Sequence, residues 1–262
     1  YSSIEHAAGS RFDDRLIGSA QGNTFVADLG NDSLFGIDGD DALFGGLGDD
    51  SLDGGNDDDV LQGDEGDDTL QGDQGNDVLR GGDGNDSLDG GENDDLIETG
   101  NGNDTVQGGE GDDVVSYVGG GLDVIDGGLG RDWIDFSQHT GPIAVDLLSS
   151  APVLSTDGEN ETTIAGLAGI ENIRGTDFSD DLIGNDLDNV IDGGLGIDVM
   201  VGHAGADTFI SGGQRGFVDY NRETGTRGID LVFQAFTPGL SPHIAGTDSH
   251  GHTDRLFNIA II

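Results

Sequence analysis

A nine-residue period, held without insertion or deletion for twelve consecutive units, constrains this chain more than any other feature. Residues 9–116 cut into GSRFDDRLI, GSAQGNTFV, ADLGNDSLF, GIDGDDALF, GGLGDDSLD, GGNDDDVLQ, GDEGDDTLQ, GDQGNDVLR, GGDGNDSLD, GGENDDLIE, TGNGNDTVQ and GGEGDDVVS. Position six is Asp in eleven of the twelve, with Asn23 as the exception, and position eight is always apolar, from Leu16 and Phe25 to Val106 and Val115. A period this regular means that one small unit is stacked on copies of itself, each burying what its neighbour would otherwise expose.

The chemistry of the unit follows from its order. A Gly-rich hexapeptide turns tightly and aims backbone carbonyls at one point, because glycine accepts positive φ and brings no side chain. The three residues that follow predict a short strand with position eight facing inward and positions seven and nine outward. Two units close one turn of a coil, and successive turns stack about 4.8 Å apart. Asp14, Asp32, Asp50, Asp68, Asp86 and Asp104 then line one edge, and Asn23, Asp41, Asp59, Asp77, Asp95 and Asp113 the other. Carboxylates at such a spacing repel one another unless cations lie between them. Carboxylate and carbonyl oxygens in a flexible turn suit Ca²⁺ better than Mg²⁺, which demands a stricter octahedron and keeps its waters.

After Ser116 the register slips by one residue at Tyr117, and two further units, VGGGLDVID and GGLGRDWID, bring Asp123 and Asp132 to position six. The pattern stops from Phe136 to Arg174, where Ile143 to Leu147 alternates like a strand and Thr156 to Thr163 reads as a polar loop. It resumes at Gly175 as GTDFSDDLI, GNDLDNVID, GGLGIDVMV and GHAGADTFI, with Asp180, Asn189, Asp198 and Asp207 at position six. The expected organisation is an array over 1–135, a spacer over 136–174, a short array over 175–213 and a second spacer over 214–262. A larger duplication underlies it. Ile4-Glu5 with Gly9, Phe12 and Asp14 recurs as Ile170-Glu171 with Gly175, Phe178 and Asp180, and Asp135-Phe136-Ser137 with Val145-Asp146-Leu147 recurs as Asp219-Tyr220-Asn221 with Ile229-Asp230-Leu231. Leu256-Phe257-Asn258-Ile259 likewise resembles Leu167-Ala168-Gly169-Ile170.

The unit resembles the G-G-x-G-x-D-x-U-x nonapeptide of the RTX (repeats-in-toxin) calcium-binding family. The resemblance implies an all-β chain, a right-handed parallel β-roll (β-solenoid), with ions held between neighbouring turns by position-six carboxylates and loop carbonyls. Carried onto this chain, the carboxylates are those of Asp14, Asp32, Asp41, Asp50, Asp59, Asp68, Asp77, Asp86, Asp95, Asp104, Asp113, Asp123, Asp132, Asp180, Asp198 and Asp207. The loop glycines are Gly36, Gly39, Gly45, Gly48, Gly63, Gly66, Gly72, Gly75, Gly81, Gly84, Gly108, Gly111, Gly127, Gly130, Gly193 and Gly196. It implies on the order of ten calcium ions along such a stack. Export by a type I route, to the medium or to the bacterial cell surface, is the family's habit. Position four departs from Gly at Phe12, Gln21, Asp57, Asn93, Phe178 and Leu187. Asp57 and Asn93 tolerate a left-handed backbone. The bulky cases fall in the first two units of each array, so those turns are expected to bind no ion or to bind it differently, and Asn23 and Asn189 are weaker ligands there.

Composition supports a fold that depends on metal. The 53 acidic residues face nine basic ones, all Arg, for a formal charge of −44, and apolar residues make up only 33%, against roughly 45–50% in ordinary globular domains. Self-repulsion and fifty glycines oppose folding of the bare chain. Ions that bind only the folded state supply the missing stability. Such a charge disfavours nucleic acid and anionic membranes as partners, and no apolar run reaches the roughly 18–20 residues of a membrane span. There is no cysteine, so metal rather than disulfides does the cross-linking.

No H-E-x-x-H, G-x-S-x-G or phosphate-loop motif occurs, and Ser51 is a strand position repeated as Ser33 and Ser87. The expectation is a non-catalytic, calcium-folded module of a bacterial secreted or surface protein of adhesin, matrix or surface-layer type. The alternatives are an accessory module of an exported protease, lipase or polysaccharide-modifying enzyme, or polysaccharide recognition through Trp133, Tyr220, Phe233 and Phe236. His250-Gly251-His252, with Asp248 and Asp254, reads as a polar loop before it reads as a transition-metal site. One surface stands out. Position seven is Ser or Thr through Ser33, Ser51, Thr69, Ser87 and Thr105, yet Ala42, Val60, Val78, Leu96 and Val114, followed by Trp133, make an apolar stripe on the other sheet, which is expected to be covered by a spacer or by another copy.

Overall fold

The computed structural model describes residues 5–148, 153–155, 163–211, 217–218, 232–233, 243–247 and 253–257. Among them every regular element is a strand. From Thr24 to Glu110 each nonapeptide contributes a strand of six residues, such as Ala42–Leu47, Ser51–Asn56 and Val60–Glu65. The sequence predicts only three extended residues, but the strand runs on through positions one to three of the next unit. Burial shows why. Position one lies inside with position eight, and the backbone then kinks at position two, which is left-handed in every unit from Asp28 (φ 86°) to Gly109 (φ 123°). A second left-handed residue at position four, from Gly30 (φ 128°) to Gly111 (φ 143°), completes the corner.

Strands eighteen residues apart pair in parallel without offset, for example Leu43 with Leu61 and Leu52 with Leu70. This is the β-roll. The chain divides into two compact units, one of residues 1–132 with 164–169 and the other of 133–163 with 170–262. In the first unit one sheet climbs from His6–Ala8 through Thr24–Leu29 to Val114–Gly120. The second climbs from Arg15–Ile17 through Ser33–Asp38 to Val124–Leu129 and ends on Gly166–Ala168. The core is a thin row of position-eight side chains: Leu34, Leu43, Leu52, Leu61, Leu70, Leu79 and Leu88 are each buried to within 1%. Burying one such side chain stabilises by about 1.5–3 kcal/mol, which is a small core for a chain so charged.

The one-residue slip has a structural partner. Thr99 replaces glycine at position one, and its Oγ1 donates to the Val118 carbonyl at 3.2 Å and accepts from the Val118 N–H at 3.3 Å. The strand Val114–Gly120 bulges there, with Tyr117 fully buried, and the ladder spacing across the bulge is nineteen residues rather than eighteen.

The second unit uses shorter strands. Asn172–Arg174, Val190–Asp192 and Thr208–Ile210 stack behind Trp133–Asp135. Asp181–Ile183 and Val199–Val201 stack behind Ile143–Asp146, the strand expected inside the spacer. The duplication shows in the pairing: Leu167 stands opposite Ile125, and Leu256 opposite Phe209 at the matching place after the second array. The proposed match between 135–147 and 219–231 lies outside the described residues.

The apolar stripe is half-buried: Val60, Val78, Leu96 and Val114 are less open than Ser51, Thr69, Ser87 and Thr105, which are exposed. Branched side chains stacked along a ladder shield one another. The other sheet is not wholly polar either, since Val124, opposite Thr105, is 47% exposed. In the second unit the guanidinium of Arg174 lies 5.2 Å from the centre of the Trp133 ring.

Candidate metal centres

Each position-six side chain is held by the turn before it. Asp50 Oδ1 accepts from the Asp32 N–H at 2.7 Å, Asp68 Oδ1 from the Asp50 N–H at 2.7 Å, and Asp86 Oδ1 from the Asp68 N–H at 2.9 Å. The opposite edge repeats this from Asp41 to Asp113. The second oxygen is different. Oδ2 of Asp32, Asp41, Asp50, Asp59, Asp68, Asp77, Asp86, Asp95, Asp104, Asp113, Asp123 and Asp198 is buried and accepts no hydrogen bond. A buried carboxylate oxygen without a donor is costly, and in a native protein it calls for a proton or a cation.

Glycine at position one shapes the space around that oxygen. A Cβ on Gly36 would overlap Asp41 Oδ2 and crowd the Gly54 carbonyl oxygen one turn on; Gly63 and Gly72 stand in the same relation to Asp68 and Asp77. The absent side chain therefore leaves a cradle in which a carboxylate oxygen and a carbonyl oxygen of the next turn face the same small volume. All the donors are hard oxygens, the set that Ca²⁺ prefers. Among the described residues no three His, Cys, Asp or Glu side chains gather as a metal cluster, and the oxygens that face these cradles are those of single aspartates and backbone carbonyls. His250 and His252 lie outside the described residues.

Electrostatics say the same. Loss of solvent raises the Asp59 and Asp95 carboxyls to about 8, and neighbouring aspartates add to the rise. Burial likewise lifts Asp68 and Asp198 to about 7, and Asp41, Asp50, Asp77, Asp86, Asp104, Asp113 and Asp123 to about 6. Without a cation the row resists full ionisation.

The leading loops of each array, the first two units, break this rule. Ser10 N–H donates to Asp14 Oδ2 at 2.5 Å and Ser19 N–H to Asn23 Oδ1 at 2.8 Å. Thr176 N–H donates to Asp180 Oδ2 at 2.7 Å and Asn185 N–H to Asn189 Oδ1 at 2.9 Å. In the second array the position-two side chain also caps position four, with the Phe178 and Leu187 N–H groups donating to Thr176 Oγ1 and Asn185 Oδ1 at 2.9 Å each. Phe12, Gln21, Phe178 and Leu187 are not left-handed.

Position five was not singled out from the sequence, although it is Asp or Asn in eleven of the twelve units. It forms a counter-ladder on the exposed rim. Asp49 Oδ1 accepts from the Asp67 N–H at 3.1 Å, Asp67 Oδ1 from the Asn85 N–H at 2.8 Å and Asn85 Oδ1 from the Asn103 N–H at 3.0 Å. Position-six bonds run from a carboxylate back to the turn before, and position-five bonds run forward to the turn after. Each corner is thus tied on both sides.

A family profile described as the RTX calcium-binding nonapeptide repeat matches residues 3–34, 35–70, 62–97, 89–120, 98–134 and 183–218. Those matches span more than half of the chain, and the chain belongs to this family. No curated protein matches it.

Proposed function

We propose that this chain is a calcium-folded structural module of a bacterial secreted or cell-surface protein, of adhesin, matrix or surface-layer type. The row of buried, unpartnered Oδ2 atoms from Asp32 to Asp123 carries the reading. Ions sit between successive regular loops, taking one Oδ2 from each edge aspartate and carbonyl oxygens from positions one and four. Asp198 and Asp207 supply the second array. The leading loops at Asp14 and Asp180 are closed by their own N–H groups and hold an ion weakly or not at all. Extracellular modules of this kind bind Ca²⁺ with Kd of about 10⁻⁴–10⁻³ M, so the chain stays open where calcium is scarce and folds where it is abundant. Circular dichroism during chelation and calcium re-addition tests this: the β signal is expected to vanish and return, and full retention in excess chelator contradicts it.

A further inference from the structure

The sheet that climbs from Thr24–Leu29 to Val114–Gly120 carries on its outer face a groove that the metal loops do not use. In each of its strands the left-handed kink falls at position two, at Asp28, Gly46, Asp64, Gly82 and Gly100, and the side chains of positions nine and three flank it. Along the ladder the position-nine wall reads Val26, Phe44, Gln62, Arg80 and Glu98, each opposite the next. The position-three wall reads Leu29, Leu47, Glu65, Asp83 and Asn101 in the same register. Between them lies a trough of about 720 Å³. Four ladder steps of about 4.8 Å make it roughly 19 Å long, the reach of about six extended residues.

The two halves of the trough differ in chemistry. Val26, Leu29 and Leu47 are 46%, 39% and 42% exposed, and with the half-buried Phe44 they leave an apolar concavity open to water, a feature that marks interaction sites. In the other half four carboxylates, those of Asp64, Glu65, Asp83 and Glu98, face the single guanidinium of Arg80. Arg80 Nε lies 2.8 Å from Glu98 Oε2, so its charge is met from within and the excess stays negative. The other sheet shows that the roll itself does not demand this pattern. Its corresponding trough, of about 510 Å³, is lined by Ile37 and otherwise by glycines and polar side chains such as Asp53, Asp73 and Glu92. Period and backbone are shared, so the apolar end belongs to the side chains chosen on one face.

Charge decides what fits. A second copy of a chain with a formal charge of −44 brings like charge to the contact, and a polyanion does the same. A neutral chain gains nothing from the excess carboxylates. The occupant that meets both halves is apolar at one end and cationic at the other. We propose that this groove binds an extended segment of another protein, with apolar side chains seated against Val26, Phe44 and Leu47 and lysine or arginine side chains against Glu65 and Asp83. The segment lies along the roll axis, across the strands, so side-chain complementarity rather than backbone pairing holds it.

Isothermal titration calorimetry of the full chain in saturating calcium tests the proposal, with circular dichroism of the same samples. The probe is an amidated hexapeptide with two leucines at one end and two lysines at the other, and it should bind at one site per chain. Exchanging its leucines for serine, or changing the chain by Phe44→Ser with Leu47→Ser, should weaken binding by about tenfold or more. Glu65→Gln with Asp83→Asn should weaken it by about threefold and flatten its salt dependence. Glu92→Gln, in the trough of the other sheet, should change nothing. Should the Phe44 and Leu47 variant lose its β signal, the serine peptide against the natural chain reads the same contact. No binding to the folded chain, equal binding of the leucine and serine peptides, an effect of Glu92→Gln as large as that of the Glu65 and Asp83 pair, or tighter binding of a neutral hexasaccharide such as cellohexaose overturns the proposal.

Discussion

In the leading loop of the second array the Thr176 N–H donates to Asp180 Oδ2 at 2.7 Å. Two units later the corresponding residue, Gly194, is left-handed at φ 69°, its N–H donates to Asp192 Oδ1 at 3.1 Å, and Asp198 Oδ2 is buried without a donor. The same nonapeptide thus makes two kinds of loop, and one backbone rotation separates them. Where position two is not left-handed, its N–H turns inward and satisfies the position-six side chain, so the loop closes by itself. Where position two is left-handed, as at Gly194, that N–H no longer reaches the position-six carboxylate, whose Oδ2 is left without a donor. The first array repeats the contrast between Ser10 or Ser19 and every unit from Asp28 onward. On the proposed reading a leading loop forms before any ion binds, whereas a regular loop is completed by its ion.

The largest expected effect is that of calcium removal, which should spare neither array but should cost the first far more, since it holds most of the regular loops. Hydrogen exchange in chelator measures this: amides from Gly36 to Asp132 should lose protection entirely. Next in size is a matched pair of isosteric changes. Asp68→Asn keeps the bond to the Asp50 N–H but removes the charge, and it should abolish the ions on either side of that turn. Asp14→Asn, in a leading loop, should leave the calcium count unchanged by atomic emission. Equal losses would erase the distinction drawn between the two loops.

Acidity offers a third way to separate them. The regular-loop carboxyls are raised in the metal-free fold, Asp59 and Asp95 to about 8 and Asp68 to about 7, from an ordinary 3.8. A raised acid favours the fold where it is protonated: its contribution is complete below pH 3.8 and fades as pH climbs through about 6 to 8. In excess chelator the β signal should accordingly grow as pH is lowered from 8 to 4, protons standing in for ions. A signal that stays flat over that window contradicts the burial of these carboxyls.

Smaller still is the effect of Ile37. This β-branched residue sits left-handed at φ 95° and is 43% exposed, a conformation that costs about 1–2 kcal/mol in an L-residue. Ile37→Gly should raise the calcium-loaded melting temperature by a few degrees, while Gly66→Ala at φ 139° should lower it. Asp53→Ala, at outward position nine, should move stability by no more than about 0.5 kcal/mol.

Much of the architecture could be read directly from the period. Position eight had to face inward because it alone is always apolar, and the structure buries Leu34 through Val115 there. Bulky residues at position four marked the first two loops of each array as different, and Phe12, Gln21, Phe178 and Leu187 do sit in the self-closed loops. The long strands were not legible. Glycine at positions one and two looks like turn, yet position one is extended and inward because the neighbouring turn leaves no room for a Cβ. The position-five ladder was present as a run of Asp and Asn in the units, but those residues are so common in the chain that only their bonds to the next turn set them apart.

The sequence by itself determined the period, the inward row and the two lines of aspartates, since these depend only on the spacing of residue types along the chain. Tertiary structure decided which oxygen of each aspartate is held and which is orphaned, because that depends on an N–H one turn away and on the sign of φ at position two. It also decided that Thr99 and the bulge at Tyr117 belong together, a match made across nineteen residues by one hydroxyl and the backbone of Val118. Local order fixes what repeats. Contact between turns, which no single unit contains, fixes where the charge is left without a partner.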